Sequence, residues 1–71
     1  MSLYDLLTKV DGNPIIVVVD EFGHIVFDGY PSRLGDADTM GFEEAKAFEV
    51  EFFVINSEAH NADMAVYGHY V

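Results

Sequence analysis

The sequence predicts an α+β fold, a short N-terminal helix packed on a four-stranded antiparallel sheet made of two hairpins. Three observations predict it. Leu3, Leu6, Leu7 and Val10 fall at helical spacing, and four later segments rich in β-branched and aromatic residues are separated by clusters of turn formers. The chain has 71 residues, 51% of them apolar, and no cysteine, so a single core must hold it without disulfides or thiolate zinc. No repeat or linker interrupts it, and residues 1–71 read as one domain.

The helix begins at Ser2-Leu3-Tyr4-Asp5, a capping box in which the Ser2 hydroxyl accepts an amide hydrogen three residues on, and the Asp5 charge favours the helix start. It stops at Asp11-Gly12-Asn13-Pro14, where Gly12 suits a left-handed cap and Pro14 blocks continuation. Ile15 to Val19 is a β-branched run, and Ile25 to Tyr30 is a second strand. Between them Asp20-Glu21-Phe22-Gly23-His24 has Asp first and Gly fourth, the pattern of a type I turn followed by a glycine bulge. Pro31 to Gly41 is a polar connection with room for a helical turn near Pro31 to Leu34, and Glu43 to Lys46 suits another. From Ala47, Phe48, Val50, Phe52 and Val54 alternate with Glu49, Glu51, Phe53 and Ile55; after the turn formers of 56–62, Asp63 to Val71 is the last strand.

A helix this short covers one face of such a sheet. With Phe48, Val50, Phe52 and Val54 beneath it, Phe53, Ile55, Tyr67 and Val71 fall on an uncovered apolar face, which marks an interface. The alternative is that the Pro31 to Glu44 connection folds over that face.

Charge is the most unusual property. Thirteen Asp and Glu oppose only Lys9, Arg33 and Lys46, a net of −10. Direct binding to nucleic acid or an anionic membrane is disfavoured, since that affinity comes from Lys and Arg displacing counterions. A basic protein is the expected partner. No window approaches the roughly 18 apolar residues of a membrane span and no basic-then-apolar leader opens the chain, which predicts a cytoplasmic protein.

No residue pattern points to catalysis or to a cofactor. In the turn, Asp20 and His24 can meet, but Glu21 sits at its tip and Asp28 further down the strand, short of the three or four converging donors a metal needs. Asp36-Ala37-Asp38-Thr39-Met40-Gly41 begins like a calcium loop but has Met40 at the fifth position and Ala47 at the twelfth, where oxygen donors belong. His60 and His69 match no metal spacing, and Ser2, Ser32 and Ser57 sit in a cap and two loops rather than beside a base. What remains is the acidic surface. Glu49 and Glu51 lie on the same side of a strand, about 6.5–7 Å apart, with Asp36, Asp38, Glu43 and Glu44 in the preceding connection and Asp28 in the hairpin beside it. These six, Asp28 apart, are the expected charge contacts to a partner, with Phe53 and Tyr67 as apolar anchors.

The helix "SLYDLLTKV", the proline-led "NPIIVVVDEFGHIVFDGY", the acidic middle and the closing aromatic strand together resemble the small acidic accessory proteins carried by phages and mobile elements of Gram-positive bacteria. The likeness is one of layout, length and acidity over most of the chain. It implies inhibition of a host defence protein, as in anti-CRISPR and anti-restriction proteins that mimic nucleic acid. The expected function is therefore a non-enzymatic acidic module that blocks a basic nucleic-acid-binding surface of a host protein. The alternative is a structural or assembly protein that self-associates, as a homodimer or larger, through its open sheet face.

Overall fold

A computed structural model describes residues 1–71. Its elements run α1 (Leu3–Lys9), β1 (Ile16–Val19), β2 (Ile25–Gly29), a 3-10 turn (Pro31–Arg33), α2 (Phe42–Lys46), β3 (Phe48–Ser57) and β4 (Ala62–Tyr70). The N-cap acts as the sequence indicates, but the helix ends at an extended Val10, two residues before the left-handed Gly12 expected to cap it. Ser2 Oγ accepts the Asp5 amide at 3.1 Å, Lys9 lies in the last turn of α1, and Gly12 takes a φ of 79° before Pro14.

The sheet order is β2-β1-β4-β3. Both hairpins form: β1 pairs antiparallel with β2, and β3 with β4. They join, however, through a parallel pairing of β1 with β4, in which Ile16 faces Met64 and Val19 faces Tyr67. The sheet is thus mixed, not purely antiparallel. The cause is the segment 30–47, which carries the chain from β2 at one edge to β3 at the other, so that β4 returns alongside β1 in the same direction. Parallel neighbours need a connection of roughly a dozen residues or more, and this segment supplies it. All four residues of β1 are buried, as befits a strand covered on both faces.

One face of the sheet carries the main core: Leu3, Leu6 and Leu7 of α1, Leu34, Met40 and Ala45 of the connection, and Ile16, Val18, Phe27, Phe48, Met64 and Val66 of the strands. The connection therefore packs on the same face as α1 and leaves the other face to a smaller cluster of Val17, Val19 and Ala62 with Tyr67 against it.

A bulge in β3 changes which residues share a face. Val50 pairs with Gly68 but Phe52 pairs with Tyr67, leaving Glu51 as the extra residue. Beyond it the alternation inverts. Phe53 and Ile55 now pair with the core-side Val66 and Met64, while Phe52 and Val54 pair with Tyr67 and Ala65 on the opposite face. The expected grouping of Phe48, Val50, Phe52 and Val54 under the helix holds only as far as Val50, and Phe53 and Ile55 do not share a face with Tyr67. Unburied apolar surface is concentrated along β3, where Phe52, Phe53, Val54 and Ile55 are 56, 48, 42 and 60% exposed.

Tyr70 closes the core edge-on against Phe48, with ring centroids 5.2 Å apart. Burial first, then the negative charge of Glu44 and Asp20, raises its phenol above the ordinary 10.0. The folded state thus holds this proton more tightly than the unfolded chain. The stability tied to it is fully present below pH 10.0 and is lost as pH rises through the folded value. Tyr70→Phe is expected to lose less stability than the parent between about pH 8 and about pH 11. Denaturant midpoints at the two pH values check this, and equal losses in both proteins would contradict it.

Candidate protein-docking surface

The β1–β2 turn uses its acid for backbone chemistry. Gly23 N donates to Asp20 O at 3.0 Å, with Gly23 at a φ of 82°, and Asp20 Oδ1 accepts the Phe22 and His24 amides, both at 2.9 Å. His24 Nδ1 stands 3.8 Å from the other Asp20 oxygen. In the segment that begins like a calcium loop, Asp36 and Asp38 instead turn to Arg33, at 2.6 and 3.3 Å, and Thr39 Oγ1 donates to the Arg33 carbonyl at 2.6 Å. The hydrogen bond that Arg33 donates to Asp36, then the charge of Asp38, raises the Arg33 pKa further. His60 Nε2 lies 3.1 Å from the Tyr67 hydroxyl, and His69 Nδ1 lies 3.7 Å from Glu51. Nowhere do three His, Asp or Glu side chains converge as metal donors.

The acids expected to contact a partner differ in how much of their charge is engaged within the chain. Asp36 and Asp38 share Arg33. Glu43 meets Lys46 at 3.5 Å, and that ammonium also sits over the Tyr4 ring, 5.1 Å from its centroid. Glu49 meets the N-terminal amine at 3.0 Å. Glu49 and Glu51 do lie on one side of β3, since Glu49 pairs with His69 and Glu51 reaches the same ring. Glu51 has only the His69 ring beside it, and Glu44 has no basic side chain within ion-pair distance.

Glu44 has a different company. The connection folds back along β2, and Asp28, Asp38 and Glu44 together border a shallow cleft of about 330 Å³ whose apolar side is Ile25, Val26 and Met40. No Lys, Arg or His lines it. The sequence placed these carboxylates near one another but did not indicate the cleft, because it depends on where residues 38–44 settle against β2 and no local pattern fixes that.

The two aromatic anchors are separated. Tyr67 stacks on Phe52, with centroids 4.8 Å apart and planes 14° off parallel, on the face opposite α1. Phe53 lies beside Val66 on the α1 side. They cannot contact one flat partner surface together. No helix is long and apolar enough to cross a membrane. In comparisons with protein-family models, curated proteins and solved structures the chain matches none, so a functional reading rests on the arrangement of these residues.

Proposed function

We propose that the chain is a non-enzymatic acidic binding module, of the kind phages carry, that docks on a basic surface of a host defence protein and blocks nucleic-acid engagement there. The observation that carries the reading is the cleft bordered by Asp28, Asp38 and Glu44 with no cation among its lining residues. A Lys or Arg of the partner can lay its aliphatic stem on Ile25 and Val26 and bring its charged head to the carboxylates. The surrounding excess of thirteen acids over three bases supplies long-range steering toward a basic groove. Asp28 and Glu44, with Asp38 shared with Arg33, offer a cation what successive phosphates offer it on a nucleic-acid backbone.

The test is capture from bacterial lysate with the immobilised protein, followed by DNA competition on each captured protein. Nucleic-acid-binding proteins that release DNA when the module is added, with capture weakening as salt rises, are the expected result. Captured proteins that hold DNA and the module together, or capture insensitive to salt, would overturn it.

A second reading, assembly through self-association, is favoured by one observation, the uncovered apolar run Phe52–Ile55 on the edge strand β3.

A further inference from the structure

We propose that the free edge of β3 pairs antiparallel with β3 of a second copy, across a two-fold axis at Val54, to give a continuous eight-stranded sheet. The inference deepens the assembly reading by naming the occupant and its register, and it leaves the acid cleft beside β2, at the opposite edge, free to dock on a partner.

The outer side of β3 is occupied only at its start. Val50 N donates to Met1 O at 2.9 Å and Ser2 bridges to Glu49, so the first two residues lie along 48–50 like a short fifth strand. Beyond the bulge that cover ends. Met64 N donates to Ile15 O at 3.1 Å, on the β1 side, so Met64 turns its backbone away from β3. Its partner Ile55 is then in a non-hydrogen-bonded pair and turns its own N–H and C=O outward, and Phe53, two residues earlier, does the same. No hydrogen bond from outside the sheet reaches either residue. The side chains here are Phe52, Phe53, Val54 and Ile55, with none of the Lys or Pro residues that ordinarily block an edge.

This edge is complementary to itself in one register. Outward groups must face outward groups, so Phe53 must oppose either itself or Ile55 of the second copy, and Ile55 likewise. Centring on Phe53 drives the second strand into the Met1–Ser2 arm, and centring on Ile55 sets Phe52 against Glu58. Centring on Val54 sets Phe53 beside Ile55, Val54 beside Val54 and Phe52 beside Asn56. It forms four backbone hydrogen bonds and buries the apolar run on both faces. Asn56, at a φ of 56°, takes the backbone out of the extended conformation, so the hydrogen-bonded pairing is confined to Phe53–Ile55, and the two Glu51 carboxylates stand about 20 Å apart at 3.3 Å per residue. The apolar area covered is on the order of 400 Å² per copy, below that of a standard stable interface, so the dimer is weak and reversible. With −10 on each copy, salt screens a repulsion and strengthens it. Docking through the cleft responds to salt in the opposite direction, so failure of one leaves the other measurable.

The register is tested with single cysteines, since the chain has none of its own. In Val54→Cys the two thiols face each other in a non-hydrogen-bonded pair with Cα atoms about 4.5 Å apart, within disulfide range. In Ile55→Cys the thiol faces Phe53 instead. Mild oxidation is expected to link Val54→Cys into dimers at least tenfold faster than Ile55→Cys. By sedimentation equilibrium the unsubstituted protein should form a dimer that tightens with salt, and Ile55→Lys should weaken it at least tenfold with an unchanged circular dichroism spectrum. Equal cross-linking of the two cysteine variants, a monomer at every salt and protein concentration, or an Ile55→Lys dimer as tight as the parent would each overturn the proposal.

Discussion

Phe48→Ala is expected to leave the domain largely unfolded at room temperature or close to it. Phe48 is fully buried and is the largest of the side chains with no exposure. It sits where the three parts of the core meet, at the start of β3, under α1 and the connection, and edge-on to Tyr70. Truncating such a residue removes the transfer energy of the ring and leaves a cavity among its packed neighbours, at a cost of about 3–5 kcal/mol. At roughly 0.05–0.15 kcal/mol per residue, a chain of this size has about 4–11 kcal/mol in all. The thermal midpoint should fall by about 20 °C or more. A fall of only a few degrees in a calorimetric scan would show that the ring is not the keystone of this core.

Gly68→Ala is expected to be nearly as damaging, for a different reason. Gly68 faces Val50 beside the β3 bulge, where β4 passes close to the Glu49 backbone. A methyl group there would collide with the Glu49 carbonyl oxygen and lie 2.6 Å from Phe48 Cε1. The first obstacle is backbone held by the strand pairing and the second is the most buried ring in the protein, so neither yields cheaply. A loss of about 2–3 kcal/mol follows, at the upper end of overpacking costs. It should come with a changed bulge, seen as shifts of the Glu49 to Phe52 amide resonances. Stability within about 0.5 kcal/mol of the parent would mean that the strand separation at the bulge is soft.

Local chemistry made most elements legible. Ser2 and Asp5 marked the helix start, Asp20 and Gly23 the turn, and the apolar segments the strands, because each of these signals acts over a few residues; the helix end fell at Val10, two residues short of the expected Gly12 cap. The parallel join between the hairpins depends on a segment, 30–47, that crosses the whole sheet, and hairpin rules say nothing of it. One sign was present: Ile16 to Val19 has no alternation, the mark of a strand buried on both faces and so of a central place in the sheet. The bulge at Glu51 was the other hidden feature. Strict alternation from Phe48 to Ile55 reads as one flat strand, but one extra residue redirects everything after it, which moved Phe53 away from Tyr67 and made the edge of β3, rather than a face, the main apolar surface. The acids were counted correctly and their neutralisation was not foreseen. Arg33 draws in Asp36 and Asp38, Lys46 draws in Glu43, and Glu44, with no basic side chain at ion-pair distance, gains its setting only from tertiary contacts along β2.

That setting distinguishes a located docking surface from mere acidity, and a charge-matched comparison tests it most directly. One variant combines Asp28→Asn, Asp38→Asn and Glu44→Gln at the cleft. The other combines Asp11→Asn, Glu21→Gln and Glu58→Gln, three exposed acids that do not line it. Both lose three of the thirteen carboxylates. Titrated at fixed salt against a basic protein captured from the lysate, the cleft variant should bind at least tenfold more weakly than the parent, a change of about 1.4 kcal/mol. The matched variant should stay within about threefold of the parent, as screened, distant charges do. Equal weakening of both would contradict the account and leave the negative charge as a property of the whole surface.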